Sequence, residues 1–374
     1  MTGELRNPLR TARKVALLGD QHGDLNHFLI VSRTMWARGI SVLVQLGDWG
    51  FVWPGEPWGR TLDKISRRLA AQGQTLYFLE GNHDWIPRLH QFAQDADGLR
   101  LLRRNVMMFP RGYRTTLASL NEVTPGKTLA VLPGANSIDR EYRTEESHWW
   151  PGEAITNQDL AVLGSERADI LLGHEVPIGV QEIEDQIEKN PDGWSEDARA
   201  YAAEGRRQFH RGFLAVRPRL SVGAHWHRHV DTTVAFDNGT QRFSCRVVVL
   251  DMNGADTLGQ AILDTATLHL EFFTRGDSTV ERLSMRDQGR WVVHTADADL
   301  VFDLDARTVE RRPRPGARPS PHVDRPLPLL DIRILHLGVI AIYTLDPLDE
   351  HVPYRDQFSS AVVDTIERED DANR

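Results

Sequence analysis

Five times along this chain a short apolar run passes into a loop that opens with a carboxylate, an amide or an imidazole, and that recurrence constrains the fold more than any other feature. The run from Lys14 ends in Gly19-Asp20, with His22 two residues on; Ser41 to Leu46 ends in Gly47-Asp48; Gln74 to Leu79 runs into Gly81-Asn82-His83-Asp84. Ala168 to Leu172 ends in Gly173-His174-Glu175, and the run from Leu220 ends in Ala224-His225, with His227 following. Apolar runs of this kind read as buried strands. Helical spacing follows the first two, at Phe28, Ile30, Val31 and Met35, and again at Leu62, Ile65, Leu69 and Ala70. Repeated strand-helix units predict a parallel sheet with right-handed crossovers, and ligands gather at the carboxyl ends of such strands.

Between Leu99 and Pro133 short apolar runs alternate with Gly and Pro, which reads as strands of a second sheet. A helix from about Thr156 precedes the fourth run, and a polar helical region from Glu196 to Val216 precedes the fifth. Strands dominate from Thr233 to Phe273. Residues 274–289 turn polar and weakly patterned, so they read as a linker between a domain of residues 1–273 and a small β-rich domain of residues 290–374. That tail shows strands at Trp291 to Phe302, Asp331 to Leu345 and Ser360 to Ile366, interrupted by an Arg- and Pro-rich loop from Arg311 to Pro321. No motif in the tail assigns it a protein partner.

Composition sets limits on partners. At 374 residues and 40% hydrophobic content the chain can bury a substantial core. A net charge of -9 disfavours a dedicated nucleic-acid or anionic-membrane binder. The single cysteine, Cys245, excludes an internal disulfide, and the sequence shows neither a signal-peptide pattern nor an apolar run long enough to span a bilayer. A cytoplasmic location is the expectation.

Asp20, His22, Asp48, Asn82, His174, His225 and His227 together supply oxygen and imidazole donors without thiolates. Such a set suits two divalent ions, chosen among Mn, Fe, Zn and Ni, with Mn favoured. Two metals close together need a ligand able to bridge them; a carboxylate can and an imidazole cannot, which selects Asp48. Two divalent ions set against Asp20, Asp48 and a bridging hydroxide leave one net positive charge. A preorganised positive centre attracts a phosphoryl group and stabilises charge gathering on its oxygens. The leaving oxygen needs a proton, and His83, beside Asn82, is the natural general acid. Asp84 is a candidate to orient His83 or to meet substrate. Arg143 or Arg140 is a candidate phosphate grip, with an ion pair to Glu145 or Glu146 as the alternative.

Taken in order, Asp20-x-His22, Gly47-Asp48, Gly81-Asn82-His83-Asp84, His174 and His225-x-His227 resemble the calcineurin-like metallophosphoesterases, particularly bacterial and phage members. The resemblance covers roughly residues 14–273. It implies a four-layer αββα sandwich, with Asp20, His22, Asp48 and His227 at one metal and Asp48, Asn82, His174 and His225 at the other. It also implies His83 as the acid and hydrolysis by a metal-bridging hydroxide. Two departures stand out. Ala224 occupies the position usually held by glycine, and Gly47-Asp48-Trp49-Gly50 lacks the Asp-Arg-Gly extension of the protein Ser/Thr phosphatases.

The sequence therefore reads as a binuclear phosphoesterase for a small phosphoester, with the monoester slightly preferred because its dianion gains more from the positive site. A phosphodiesterase or nuclease is the alternative enzyme, disfavoured by the acidic charge. A phospho-ligand-binding scaffold that has lost catalysis is the alternative of another class, disfavoured because every ligand is present. Seven tryptophans, at 49, 53, 58, 85, 149, 150 and 226, lie in or near the motif loops, where loop packing is the simpler reading and base stacking the second. His229 extends the last motif and could replace either neighbouring histidine as ligand, although a solvent-facing position or one behind the ligands is the favoured reading.

Overall fold

Lys14–Leu18 forms β1, Val42–Leu46 β2 and Thr75–Leu79 β3, joined by helices α1 (Leu25–Ala37) and α2 (Trp58–Ala71). The computed structural model describes residues 7–119, 125–253, 259–273, 282–315, 317, 325–336, 339–346 and 357–369. β1 pairs parallel to β2 and β2 parallel to β3, so the repeated strand-helix pattern does produce a parallel core. Helix α2 has no side-chain cap at its start. Leu62, Ile65 and Leu69 bury one face of it. Each such burial contributes roughly 1.5–3 kcal/mol, more than the cap of about 1 kcal/mol that the helix lacks.

After α3 (Ile86–Leu89) come β4 (Arg100–Arg103), β5 (Val106–Met108), β6 (Arg114–Thr116) and β7 (Thr128–Leu132). The expectation that this whole stretch belongs to the second sheet needs correction. β5 pairs parallel to β3 and β4 antiparallel to β5, which places both in the first sheet, while β6 and β7 start the second. Helix α4 (Asn157–Leu163), β8 (Ile170–Gly173), α5 (Gln181–Lys189), α6 (Glu196–Val216), β9 (Leu220–Gly223), β10 (Val230–Asp237) and β11 (Arg242–Val249) follow. β12 (Gln260–Asp264) and β13 (Leu270–Phe273) then return to the first sheet, β12 lying antiparallel to β1. The strand orders are β13-β12-β1-β2-β3-β5-β4 and β10-β11-β9-β8-β7-β6.

The two sheets face each other across one apolar core. Leu17, Val44, Leu46 and Leu79 from the first sheet pack with Val131, Leu172, Val222 and Leu250 at the second. The other face of the second sheet is covered by α4, α5 and α6, where Phe209 and Phe213 of α6 sit with Leu171 and Val247. The buried residues of α6 include Ala198, Ala202, Gly205, Phe209, Gly212, Phe213 and Val216, the three-to-four spacing of a helix with one face in a core. Helices outside, sheets inside give the four-layer αββα arrangement.

The contacts divide the chain into two units, Met1–His27 with Thr34–Thr274, and Phe28–Arg33 with Arg275–Arg374. The second holds a closed barrel of β14 (Arg290–Thr295), β15 (Ala298–Asp303), β16 (Thr308–Pro313), β17 (Leu327–Ile334), β18 (Ile340–Leu345) and β19 (Gln357–Arg368). Six strands stand where the sequence showed three. Trp291 to Phe302 is a hairpin turning at Ala296-Asp297, which carries no glycine to announce it. Arg311 to Pro313, expected in the Arg- and Pro-rich loop, belong to β16, and Arg311 is buried. Of the rest of that loop, 316 and 318–321 lie outside the described residues, as do 274–281 of the expected linker. Leu283, also expected in the linker, is buried in the barrel core with Trp291, Phe302 and Tyr343. Among the described residues no helix is long and apolar enough to cross a membrane.

Candidate metal centre

The loops after β1, β2, β3, β8 and β9 converge, and they do so in unusual backbone conformations. Nine described non-glycine residues have positive φ, and four of them are His22, Asp48, His225 and His227. Such conformations cost roughly 1–3 kcal/mol each and persist where the surroundings impose them. Gly47, at φ +95°, shows the constraint: a Cβ there would run into the His174 imidazole. Only glycine lets β2 deliver Asp48 at such close quarters.

All seven predicted ligand residues come together. Ligand atoms of Asp20, His22, Asp48 and His227 lie within 4.8 Å of one another, as do those of Asp48, His174 and His225. Asp48 is common to both groups. His22 Nε2 faces His227 Nε2 at 3.0 Å, and His227 Nε2 is 3.2 Å from Asp20 Oδ2. His174 Nε2 lies 3.3 Å from Asp48 Oδ1 and 3.0 Å from Asn82 Oδ1, which adds Asn82 to the second group. His174 Nδ1 lies 2.7 Å from the Leu46 carbonyl and donates to it, which fixes the tautomer that aims Nε2 inward. His229 stands apart, with Nδ1 toward the Val249 carbonyl and its ring edge-on to Phe272.

The charges are concentrated and dry. Asp20 and His174 are fully buried, and Asp48 nearly so. Burial pushes the Asp48 carboxyl up, but His174, His83 and His22 outweigh it and hold it well below the usual carboxylate range. Burial works against protonation of His174, yet Asp48 and Asp20 push it up to about 10. Burial likewise opposes protonation of His227, where the bond to Asp20 wins and raises it. His225 goes the other way, held neutral by burial and by the His174 charge. The buried carboxylates thus draw positive charge toward themselves, and divalent cations would supply it. Asp48 Oδ2 is buried with no hydrogen-bond partner, and this oxygen together with the oxygen and imidazole donors fits a metal pair.

A second ring of contacts holds these groups in place. Asn82 Nδ2 donates to Ser137 Oγ at 3.1 Å, Ser137 donates to Glu153 through both its amide and its hydroxyl, and Tyr201 also donates to Glu153. Glu80, before Gly81, is paired to Arg111 at 2.6 Å and to His90 at 2.7 Å. Burial opposes ionisation of Glu80, but Arg111 and His90 bring its carboxyl down to about 2. Glu175 accepts from the Trp226 indole at 2.8 Å. Ser137, Glu153, Glu80 and Arg111 were not singled out by the sequence motifs, although Ser137 and Glu153 fall in segments flanking them.

Two expectations change. Asp84 neither orients His83 nor faces substrate: it is buried, and its oxygens accept the amides of Gly50, Gly81 and Trp49, tying two ligand loops together. Burial and the charge of Asp48 push its carboxyl up to about 7. Arg143 pairs with Asp139 at 2.6 Å rather than with Glu145 or Glu146, and its guanidinium lies against both ring nitrogens of His83. His83 is held below its ordinary value by burial and by Arg143, with Asp48 pulling the other way; its amide donates to Asp48 Oδ1 at 2.7 Å. Arg140 stacks over Trp149 and Tyr201 at 4.6 and 4.7 Å.

Known proteins show related features. The sequence profile of the calcineurin-like phosphoesterases matches residues 13–229. No curated protein sequence matches the chain. Among solved structures, TT1561 of Thermus thermophilus is similar at 14% identity over 71% of this chain and 99% of its own, with a TM-score of 0.38. The sulfate thiohydrolase SoxB of Thermus thermophilus, in complex with glycerol, is similar at 12% identity over 68% of this chain and 42% of its own, with a TM-score of 0.30. Likenesses this low carry no weight for function.

Proposed function

Because this chain belongs to the calcineurin-like phosphoesterase family, we propose that it hydrolyses a phosphate ester with two divalent metal ions held by Asp20, His22, Asp48, Asn82, His174, His225 and His227. The observation that carries the reading is the pair of ligand groups that share Asp48. Membership of one carboxylate in both groups, with an oxygen buried without a partner, supports a role shared between two cations.

When bound, the ions supply positive charge for the phosphoryl oxygens and lower the pKa of a water toward neutrality. The chain does the rest. Asp84 fixes the loops that carry Asp48 and Asn82, so the donors need not reorganise during reaction. Ser137 and Glu153 hold the Asn82 amide so that its oxygen faces inward. His83 is the proton donor to the departing oxygen. Arg143, braced by Asp139, positions the His83 ring and offers guanidinium donors to the ester. An anionic substrate would act on His83 as Asp48 does, favouring the protonated ring that a general acid needs.

The substrate in this reading is a small phosphoester rather than a nucleic-acid strand, and no membrane is involved. The test is to reconstitute the full-length protein with Mn, Fe, Zn or Ni and offer it nitrophenyl phosphate and bis-nitrophenyl phosphate, with single-stranded DNA alongside. Metal-dependent release of nitrophenolate, lost on chelation, is expected, with little cleavage of DNA. Silence toward both esters with all four metals would overturn the proposal, and DNA cleavage at a comparable rate would replace it with a nuclease.

A further inference from the structure

Two cavities flank the candidate centre and differ in character. The first, of about 390 Å³, has Asp48, His83 and His227 at its inner end and Trp194, Trp226 and Arg199 farther out. The second, of about 430 Å³, begins at His22 and His83 and runs along Phe51, Trp53 and Trp58. His83 lines both, and His22 of the second lies 3.0 Å from His227 of the first, so the two cavities adjoin at the candidate centre. Each volume falls within the roughly 300–1,000 Å³ of pockets that hold small molecules.

A phosphorus atom at this junction has a cavity on either side. A monoester has one carbon-bearing arm and leaves one cavity to water; a diester fills both. We infer, on the reading that this centre cleaves phosphate esters, that the substrate is a small phosphodiester with one flat aromatic arm lodged between Trp53 and Trp58. The slight preference for a monoester that charge alone suggested is thereby reversed.

The aromatic wall is already held in place. Trp53 meets the buried Trp150 edge-on at 5.4 Å, while Trp58 has the Arg88 guanidinium over it at 4.9 Å and Phe92 edge-on at 6.1 Å. Side chains fixed before binding lose little freedom when a ring stacks on them. The ionisable residues lining that cavity, apart from His22 and His83, reduce to Glu56, so the arm there carries no further phosphate. In the first cavity Arg199 is among the lining residues and brings a guanidinium to the other arm. Asp192 and the Arg143-paired Asp139 line the same cavity and leave it without the surplus of positive charge that a second phosphate needs. A polynucleotide would bring successive phosphates against these acids on both sides, with none of the neutralising Lys or Arg rows such strands require. Hydrolysis adds one water across one P–O bond: its oxygen joins phosphorus, a proton goes to the departing oxygen, and a phosphomonoester and an alcohol leave.

The test uses three esters with the same nitrophenolate leaving group, so that leaving-group chemistry is constant: p-nitrophenyl phosphate, methyl p-nitrophenyl phosphate and phenyl p-nitrophenyl phosphate. With the Mn-loaded full-length protein, kcat/KM for the phenyl diester should exceed that for the methyl diester by roughly ten-fold, the scale of one aromatic stacking contact, and should also exceed that for the monoester. Trp53→Ala and Trp58→Leu should each bring the phenyl-to-methyl ratio toward unity. The ratio is internal to one preparation, so partial misfolding lowers both rates and leaves it unchanged. A wild-type ratio near unity, a monoester faster than both diesters, or a ratio unmoved by both variants overturns the inference while the phosphoesterase reading stands. No nitrophenolate from any of the three removes both.

Discussion

His22 and His227 aim their Nε2 atoms at each other across 3.0 Å, from loops that follow β1 and β9 in opposite sheets. One ring can donate Nε2–H to the other at that distance, and with Asp20 Oδ2 3.2 Å from His227 Nε2 the same three groups form an imidazole and carboxylate donor set suited to a divalent cation. Asp48 is the residue that the two groups share. Replacing His227 with Ala should therefore remove one metal equivalent and spare the other, whereas Asp48→Asn should weaken both and abolish turnover. Metal analysis of the purified variants decides it: two tightly held equivalents in Asp48→Asn would show that Asp48 does not bridge.

His83→Ala should keep both metals. Loss of a general acid slows hydrolysis by roughly 10²- to 10⁴-fold for esters with poor leaving groups, and by less for nitrophenyl esters, whose oxygen departs without help. Equal losses for alkyl and nitrophenyl esters would take His83 out of the proton-donor role.

Ser137→Ala deprives the Asn82 amide of its acceptor, 3.1 Å away, without touching any ligand atom. Contacts that orient a metal ligand typically govern affinity by roughly 10- to 100-fold, so competition with a chelator should reveal a loss on that scale. Affinity equal to wild type would mean that Asn82 is held by its backbone alone.

Arg111 is the main counter-charge of Glu80, whose side chain is only 1% exposed. Arg111→Ala leaves that charge buried with His90 as its remaining ionic partner, and removing one member of a buried pair costs roughly 3–5 kcal/mol. The double variant Glu80→Gln with Arg111→Met should recover much of the loss. Chemical denaturation measures both, and a single variant within experimental error of wild type contradicts the assignment.

The barrel contains a pH-dependent contact of its own. His294 Nδ1 lies 2.8 Å from Asp299, with Glu367 at 3.7 Å from Nε2. Burial opposes its protonation, but the two carboxylates prevail and raise it from 6.5 to about 9. A raised value in the folded state means that the protonated ring stabilises the fold: the contribution is complete below pH 6.5 and disappears as pH rises through about 9. Thermal unfolding followed by fluorescence should show Tm falling across that interval, and His294→Gln should flatten the slope. A wild-type Tm that does not change between those limits rules the contact out.

Much of the centre was legible because metal ligation imposes residue types in a fixed order. Asp20-x-His22, Gly47-Asp48, Asn82-His83, His174 and His225-x-His227 each follow a short, largely apolar strand, and the candidate ligands come where the buried strand gives way to a loop. Those local facts placed the parallel strands, the cluster of candidate ligands and the family. They did not place β4, β5, β12 and β13, because an apolar run records that it is buried and not which sheet buries it. Asp84 looked like a site residue by adjacency, and only the folded loops show it turned back onto the amides of Gly50 and Gly81. Arg143 met Asp139 and His83 rather than the acids that come after it, since side-chain direction depends on where the chain turns. The Ser137-Glu153 support and the walls contributed by Trp53, Trp194 and Arg199 join residues far apart in sequence. Sequence determined which chemistry the strand ends can carry; the shape of the substrate they accept was decided by tertiary packing, because a cavity is made of surfaces that no single segment contains.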